Sequence, residues 1–152
     1  MPVHLLNEHP DSDASVEKRC IQAAEYILDA TGKNASHFNI LLTTDEAVRD
    51  LNRTYRHIDK PTNVLSFPLE IAEAPFQEII ATSELGDIVI SCDRAAVEAA
   101  EYSCPLQHRL NWLIVHGYLH LLGFDHETSE ADAEEMYRRE QELLSGLSID
   151  NN

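Results

Sequence analysis

Residues 106–122 form the most apolar helical segment of the chain, and this segment constrains the fold more than any other feature. It predicts a buried central helix that ends at Gly123. His116 and His120 project from one face of that helix, one turn apart. Imidazoles without partners in such apolar surroundings would cost about 1–3 kcal/mol each in unmade hydrogen bonds. A metal site therefore explains the pair better than ordinary core or surface histidines do.

A third histidine lies just beyond the predicted helix end. Gly123 stops the helix, and a turn through Phe124 and Asp125 can fold His126 back toward the first two histidines. Three neutral imidazoles with one open position are typical of a catalytic zinc site. The expected cofactor is one zinc ion per chain, and another divalent transition metal would suit the same ligands. Asp125 is expected either to orient an imidazole or to cap the turn.

The remaining patterns predict an α+β fold. Strands are expected at residues 3–6, 38–42, 64–67 and 86–91, from short apolar or β-branched runs between turn residues. Five helices are expected, at residues 14–30, 43 to about 55, 91 to about 102, 106–122 and 129–144. Thr43 with Glu46 has the spacing of a capping box for the second helix, and Ser91 is the expected cap of the third. The prediction is one domain, residues 1–152, with about four strands in a mixed sheet, about five helices and a frayed tail at 145–152.

Composition narrows the class of protein. The chain has 152 residues, too few for two ordinary domains, and 27 acidic against 11 basic residues give a net charge of -16. That charge opposes non-specific attraction to nucleic acid or to an anionic membrane. Three cysteines without CxxC spacing, and no segment resembling a signal or a membrane span, predict a cytoplasmic protein without membrane or DNA partners.

The helical histidine pair also has the spacing of the zinc-peptidase motif HExxH. In that motif the glutamate after the first histidine is the general base. Here Gly117 occupies its position, so a peptidase of that type is disfavoured.

Three blocks of the sequence resemble the signatures of one known family. HGYLHLLGFDH is similar to HGxLHLxGxDH of the YbeY family of bacterial metallo-endoribonucleases, and residues 51–70 and 86–91 are similar to two further family blocks in the same order. The resemblance implies a cytoplasmic enzyme that cleaves single-stranded RNA in ribosomal RNA maturation, notably at the 3′ end of the small-subunit RNA, and that serves ribosome quality control. It identifies His116, His120 and His126 as zinc ligands and Arg56 as the important arginine. Relatives often carry aspartate at the position of Asn63, which disfavours a general-base role for this asparagine.

Basic residues are concentrated around Arg56. They are Arg49, Arg53, Arg56, His57 and Lys60. A guanidinium can clamp a phosphate through two hydrogen bonds and stabilise charge that develops there. Because the family resemblance singles out Arg56, this arginine is the predicted catalytic residue. Arg49 and Arg53 are more typical of a solvated helix face. His57, Lys60 and Ser66 are candidate substrate contacts, although a half-buried strand serine is the commoner explanation of Ser66.

Three functions fit these observations. The leading one is zinc-assisted cleavage of a phosphodiester, with water or the ribose 2′-hydroxyl as nucleophile. A zinc hydrolase of a peptide, amide or small ester is the second, and a non-enzymatic ribosome-biogenesis factor with a structural zinc is the third. Because the chain is so acidic, the expected partners are ribosomal RNA or a ribosomal subunit together with a ribosomal or assembly protein that delivers the enzyme.

Overall fold

A computed structural model describes residues 3–33, 35–69, 84–125, 127 and 129–150. In chain order its elements are β1 (Val3–Asn7), α1 (Ala14–Ala30), β2 (His37–Thr43), α2 (Asp45–Arg56), β3 (Val64–Pro68), β4 (Glu84–Ser91), α3 (Cys92–Glu101), α4 (Leu106–Leu121) and α5 (Glu130–Asp150). Within these residues, the prediction of an α+β fold with four strands and five helices is confirmed.

The strands form one mixed sheet in the order β1–β2–β4–β3. β1 pairs with β2 and β2 with β4 in parallel, whereas β3 pairs antiparallel with β4. Since side chains alternate between the two faces of a strand, Ile88 and Ile90 of β4 point to one face and Val89 points to the other. The sheet therefore has two apolar faces, and each is covered by helices.

The first face carries what we call the large core. Here α4 packs with α1 and α5 against the inner residues of β2 and β4. α4 is buried on most of its sides, and Leu113, Ile114 and Val115 have no exposed surface. The central apolar helix is thus where the sequence predicted it.

The opposite face carries what we call the small cluster. It consists of Val48 from α2, Leu65 from β3 and Val89 from β4, with Leu41, Leu51 and Phe67 packed around them. Thr44 caps the first turn of α2 by accepting a hydrogen bond from the backbone N–H of Ala47 at 3.2 Å. The expected cap, Thr43, belongs to β2 instead, where it pairs with Ser91.

The last helix differs from expectation at its end. α5 continues to Asp150, through the stretch from residue 145 that was predicted as a frayed tail. The reason is packing, because Leu147 is buried in the large core and Gly146 lies against Tyr26 of α1, where a β-carbon would overlap the tyrosine ring. Among the helices of the described residues, none combines the length and the apolar character that a membrane crossing requires.

Candidate active site

Residues from distant parts of the chain line one cavity of about 570 Å³. Its lining includes Arg56, Asn63, Ser66, His116, His120 and Asp125. α4 brings the two histidines to the cavity, β3 brings Ser66, and the end of α2 brings Arg56. The sequence blocks around residue 56 and residue 116 are therefore neighbours in space.

The two histidines present ring nitrogens to each other. Nε2 of His116 lies 3.2 Å from Nε2 of His120, and the rings stand edge to face with centroids 4.7 Å apart. Two nitrogens bound to one tetrahedral zinc, at about 2.0–2.1 Å each, would stand about 3.3 Å apart. The donor type and the separation of this pair thus fit a zinc ion. His126, the predicted third ligand, lies outside the described residues.

His116 is held from two sides. Its Nδ1 lies 2.7 Å from Oε1 of Glu140, which α5 contributes and which is only 6% exposed. Trp112, one turn earlier on α4, stacks on the imidazole with centroids 4.7 Å apart and planes 14° apart. A carboxylate oxygen can only accept, so Nδ1 donates and the lone pair of the neutral ring resides on Nε2.

A second set of contacts supports this arrangement from α3. Nε of Arg109 donates to Oε1 of Glu98 at 2.8 Å, and the guanidinium lies 4.1 Å from the centre of the Trp112 ring. The amide nitrogen of Asn63 also donates to Glu98, at 3.2 and 3.3 Å. Glu98 thereby determines the orientation of the Asn63 amide, because its carboxylate accepts from the amide nitrogen and not from the amide oxygen.

Arg56 is anchored by its own neighbourhood. Its NH2 donates to the backbone oxygen of Ser66 at 2.6 Å, and its guanidinium lies 5.6 Å from the ring centre of Phe67. Because a guanidinium has five N–H donors, one bond to the strand leaves capacity for a phosphate. Arg56 can therefore present a positive charge to the cavity from a defined position.

The other basic residues of this block have different surroundings. Arg49 forms an ion pair with Asp59 at 2.8 Å, and this contact lowers the pKa of Asp59 from its usual range. Arg53 pairs with Asp50 on the exposed side of α2. His57 ends α2 in a left-handed conformation with φ 60°, and Lys60 accepts a hydrogen bond through its backbone oxygen from Asn52. Neither His57 nor Lys60 is among the described residues that line the cavity.

Two predicted residues have local structural roles. Asp125 lines the cavity, and its Oδ1 accepts a hydrogen bond from the backbone N–H of Glu127 at 2.8 Å, as expected of a residue that caps the turn. Ser66 is buried and donates to the backbone oxygen of Gly117 at 3.1 Å. This bond ties the edge strand β3 to the histidine helix.

Gly117 explains why the peptidase glutamate is absent. A β-carbon at this position would lie 2.9 Å from Cγ2 of Ile88 and 3.2 Å from Oγ of Ser66. α4 approaches the sheet so closely here that even alanine would crowd it. The glutamate of HExxH would therefore point into the sheet instead of into the cavity.

Comparison with known proteins identifies the family. The family model described as endoribonuclease YbeY matches residues 6–148. The chain belongs to the endoribonuclease YbeY family. A Bradyrhizobium diazoefficiens protein of that name is 42% identical over 140 residues, which cover 92% of this chain and 75% of the relative. A Bacillus velezensis protein of the same name is 37% identical over 153 residues, which cover 95% of this chain and 97% of the relative.

Membership in the YbeY family confirms two sequence predictions. One is the family itself, and the other is that the chain is a hydrolytic enzyme of the nuclease class. The fold agrees as well, because a Thermotoga maritima protein solved in solution superimposes with a TM-score of 0.68 at 23% identity, over 97% of this chain and 90% of the other.

Sequence reasoning missed the residues behind the site. The sequence patterns singled out none of Glu140, Glu98 and Arg109. One signal was available for Glu140, because a glutamate on an otherwise apolar helix face needs a buried partner. No comparable signal marks Glu98, whose two partners, Asn63 and Arg109, come from distant parts of the chain.

Proposed function

We propose that this YbeY family member is a zinc-dependent endoribonuclease that cleaves single-stranded RNA during ribosomal RNA maturation. Its expected target is the 3′ end of the small-subunit RNA, with a further part in ribosome quality control. The observation that carries the proposal is the 3.2 Å separation of two imidazole nitrogens in a cavity that Arg56 also lines. Membership in a family named for endoribonucleases supports RNA as the substrate.

His116, His120 and His126 are the residues that would hold the zinc ion, and a different divalent metal is the alternative cofactor. When bound, zinc supplies a Lewis acid for cleavage of the phosphodiester. Arg56 would donate hydrogen bonds to the phosphate and offset the negative charge that builds up on it during cleavage. Its bond to the backbone of Ser66 would hold the guanidinium in place before RNA arrives.

Asn63 lines the cavity, but it is not suited to be the general base that takes up the proton of the nucleophile. An amide cannot serve as a general base at neutral pH, and Glu98 engages the amide nitrogen. Asn63 would therefore act as a hydrogen-bond acceptor for substrate through its amide oxygen. The nucleophile is either water or the ribose 2′-hydroxyl, and the ends of the products distinguish the two.

The charge of the chain supports an assisted encounter with RNA. A net charge of -16 disfavours capture of RNA by general electrostatic attraction. We propose that the enzyme works in the cytoplasm on RNA within a ribosomal subunit, where a ribosomal or assembly protein delivers it. Cleavage should then be faster on subunits than on the same RNA free in solution.

The test compares two alanine variants of one helix. Zinc-loaded wild type, His120→Ala and the control His108→Ala are given small-subunit RNA, free and in subunits, and the product ends are analysed. His108 is exposed on α4, two turns before His116, so its loss should leave cleavage unchanged. His120→Ala should fall to the level of zinc-free protein.

Other results would redirect the assignment. Cleavage of peptides with none of RNA would support a zinc hydrolase of amides. The crowding at Gly117 disfavours this alternative, because it leaves no room for the glutamate of the zinc-peptidase motif. Unimpaired RNA cleavage by His120→Ala would contradict the proposed role of this histidine. Zinc bound by a fourth protein ligand, with no cleavage of any substrate, would support a structural metal in a ribosome-biogenesis factor. A 2′,3′-cyclic phosphate end would assign the first attack to the 2′-hydroxyl.

A further inference from the structure

Glu140 occupies an unusual place for a carboxylate. It lies on the face of α5 that enters the large core, between Met136 one turn before and Leu143 one turn after, both of which are buried. Only 6% of Glu140 is exposed, although exposed glutamates are plentiful on the same helix. Burial of a carboxylate among apolar side chains is costly unless a specific partner compensates it. That partner is Nδ1 of His116 at 2.7 Å.

The contact determines which nitrogen of His116 can bind a metal. A carboxylate oxygen accepts, so Nδ1–H donates to it and the lone pair of the neutral imidazole is placed on Nε2. Nε2 is the atom that lies 3.2 Å from Nε2 of His120. Without an acceptor at Nδ1, the proton could reside on either nitrogen, and one of the two forms cannot bind through Nε2.

Trp112 limits the remaining freedom of the ring. Its indole stacks on the imidazole at 4.7 Å with 14° between the planes, and Arg109 lies over the indole at 4.1 Å. Stacking defines the plane of the His116 ring, whereas the hydrogen bond determines which edge of the ring, the one with Nδ1, faces Glu140. The two contacts together leave one orientation.

We propose that Glu140 is a positioning residue that holds His116 in the tautomer and orientation required for metal binding through Nε2. The docking of α5 on α4 is thereby coupled to the affinity of the site, although α5 contributes no metal ligand. This inference rests on the proposed role of His116 as a ligand. Loss of a comparable acceptor behind a metal-binding histidine typically lowers metal affinity by about 10- to 100-fold.

Zinc affinity measured by chelator competition is the first test. Glu140→Gln keeps the size of the side chain and a weaker acceptor, so we expect affinity to fall by about tenfold, at the low end of that range. Glu140→Leu keeps an apolar group of similar size and removes the acceptor, so a loss near 100-fold is expected. Glu134→Gln is the matched control, because Glu134 is exposed on the same helix, and its affinity should equal that of the wild type.

The nitrogen NMR shifts of His116 in zinc-free protein are the second test, and a purely structural role of Glu140 would not move them. The wild type and Glu134→Gln should show a protonated Nδ1, whereas Glu140→Leu should shift the proton toward Nε2. Circular dichroism of each variant verifies that it is folded before binding is measured. If Glu140→Leu does not fold, Glu140→Gln alone decides, through both affinity and shifts.

The outcomes separate this inference from the proposed function. Zinc binding by the wild type, with unchanged affinity and tautomer in folded Glu140→Gln, overturns the role of Glu140 alone. Zinc affinity of His116→Ala equal to that of the wild type, or no binding by the wild type, overturns the metal site and this inference with it. Reduced affinity in the folded Glu140 variants, together with a changed tautomer in Glu140→Leu, supports both.

Discussion

The two walls of the cavity are built in different ways. The histidine wall consists of His116 and His120 on α4, and behind it lie Glu140 and the large core. The arginine wall consists of Arg56 and Ser66, and behind it lies the small cluster at the edge strand β3. The two histidines of the first wall are half-buried and held by packing between helices, whereas Arg56 is an exposed side chain with one hydrogen bond to a strand.

The difference matches the chemistry that each wall is proposed to perform. A metal site requires donor atoms held to within about 0.5 Å, so its ligands benefit from dense packing and fixed hydrogen bonds. A guanidinium that binds phosphate can adjust, because it offers several donors and acts partly through its charge. We therefore expect changes in the histidine wall to alter metal binding and stability, and a change at Arg56 to alter cleavage alone.

The largest expected effect tests the arginine wall. Arg56→Ala should slow RNA cleavage by about 100- to 1,000-fold, as expected when a donor to developing charge is removed. Its zinc affinity should equal that of the wild type, and its midpoint of thermal unfolding should shift by less than about 4 °C, since the side chain is exposed.

Arg53→Ala is the matched control for that experiment, because Arg53 is an exposed arginine of the same helix, paired with Asp50. It should cleave RNA like the wild type. A loss of zinc affinity in Arg56→Ala would mean that the two walls are not independent. It would contradict the expectation that Arg56 affects cleavage and not metal binding.

The second effect compares the packing behind the walls. Val115 on α4 and Val48 on α2 are both fully buried, the first in the large core and the second in the small cluster. Truncation of a buried valine to alanine should cost about 1–3 kcal/mol, depending on how far the surroundings can close the gap. Val115→Ala should lie near the upper end and Val48→Ala near the lower, in urea unfolding of the zinc-free protein. Equal costs would show that the small cluster is packed as rigidly as the large core.

The sequence could predict the local geometry of the site but not its long-range contacts. His116 and His120 were predictable because both lie on one helix, where a spacing of four residues determines their geometry. Glu140 was not, because its contact with His116 joins residues 24 apart and depends on how α5 packs on α4. Periodicity predicts that a helix has a buried face, but it does not predict which neighbour that face meets.

The sheet illustrates the same limit. Each of the four strands was predictable from its own apolar residues, within one or two residues at most ends. Their order, β1–β2–β4–β3, was not, since pairing is decided by long-range contacts. That order places Ser66 of β3 beside α4 and so brings the block around Arg56 to the histidines. The cavity itself was therefore accessible from sequence only through the resemblance to a family.

The smallest expected effect concerns Gly117, where the two walls meet. Alanine in place of glycine inside a helix would ordinarily stabilise it by about 1 kcal/mol. Here the added β-carbon would lie 2.9 Å from Cγ2 of Ile88, a buried branched side chain with little freedom to move, and 3.2 Å from Oγ of Ser66. Such crowding costs about 1–3 kcal/mol, so Gly117→Ala should be destabilised by a net amount of about 1 kcal/mol in urea unfolding.

A double-mutant cycle with Ser66→Ala sharpens this prediction. Ser66→Ala removes one of the crowded atoms together with the hydrogen bond between β3 and α4. The double variant should therefore be less destabilised than the sum of the single variants, by about 0.5 kcal/mol or more. If Gly117→Ala instead gained the full helical stabilisation, α4 would be free to move away from the sheet. The histidine wall would then be less rigid than the packing of α4 against the sheet indicates, and Glu140 would be the remaining difference between the two walls.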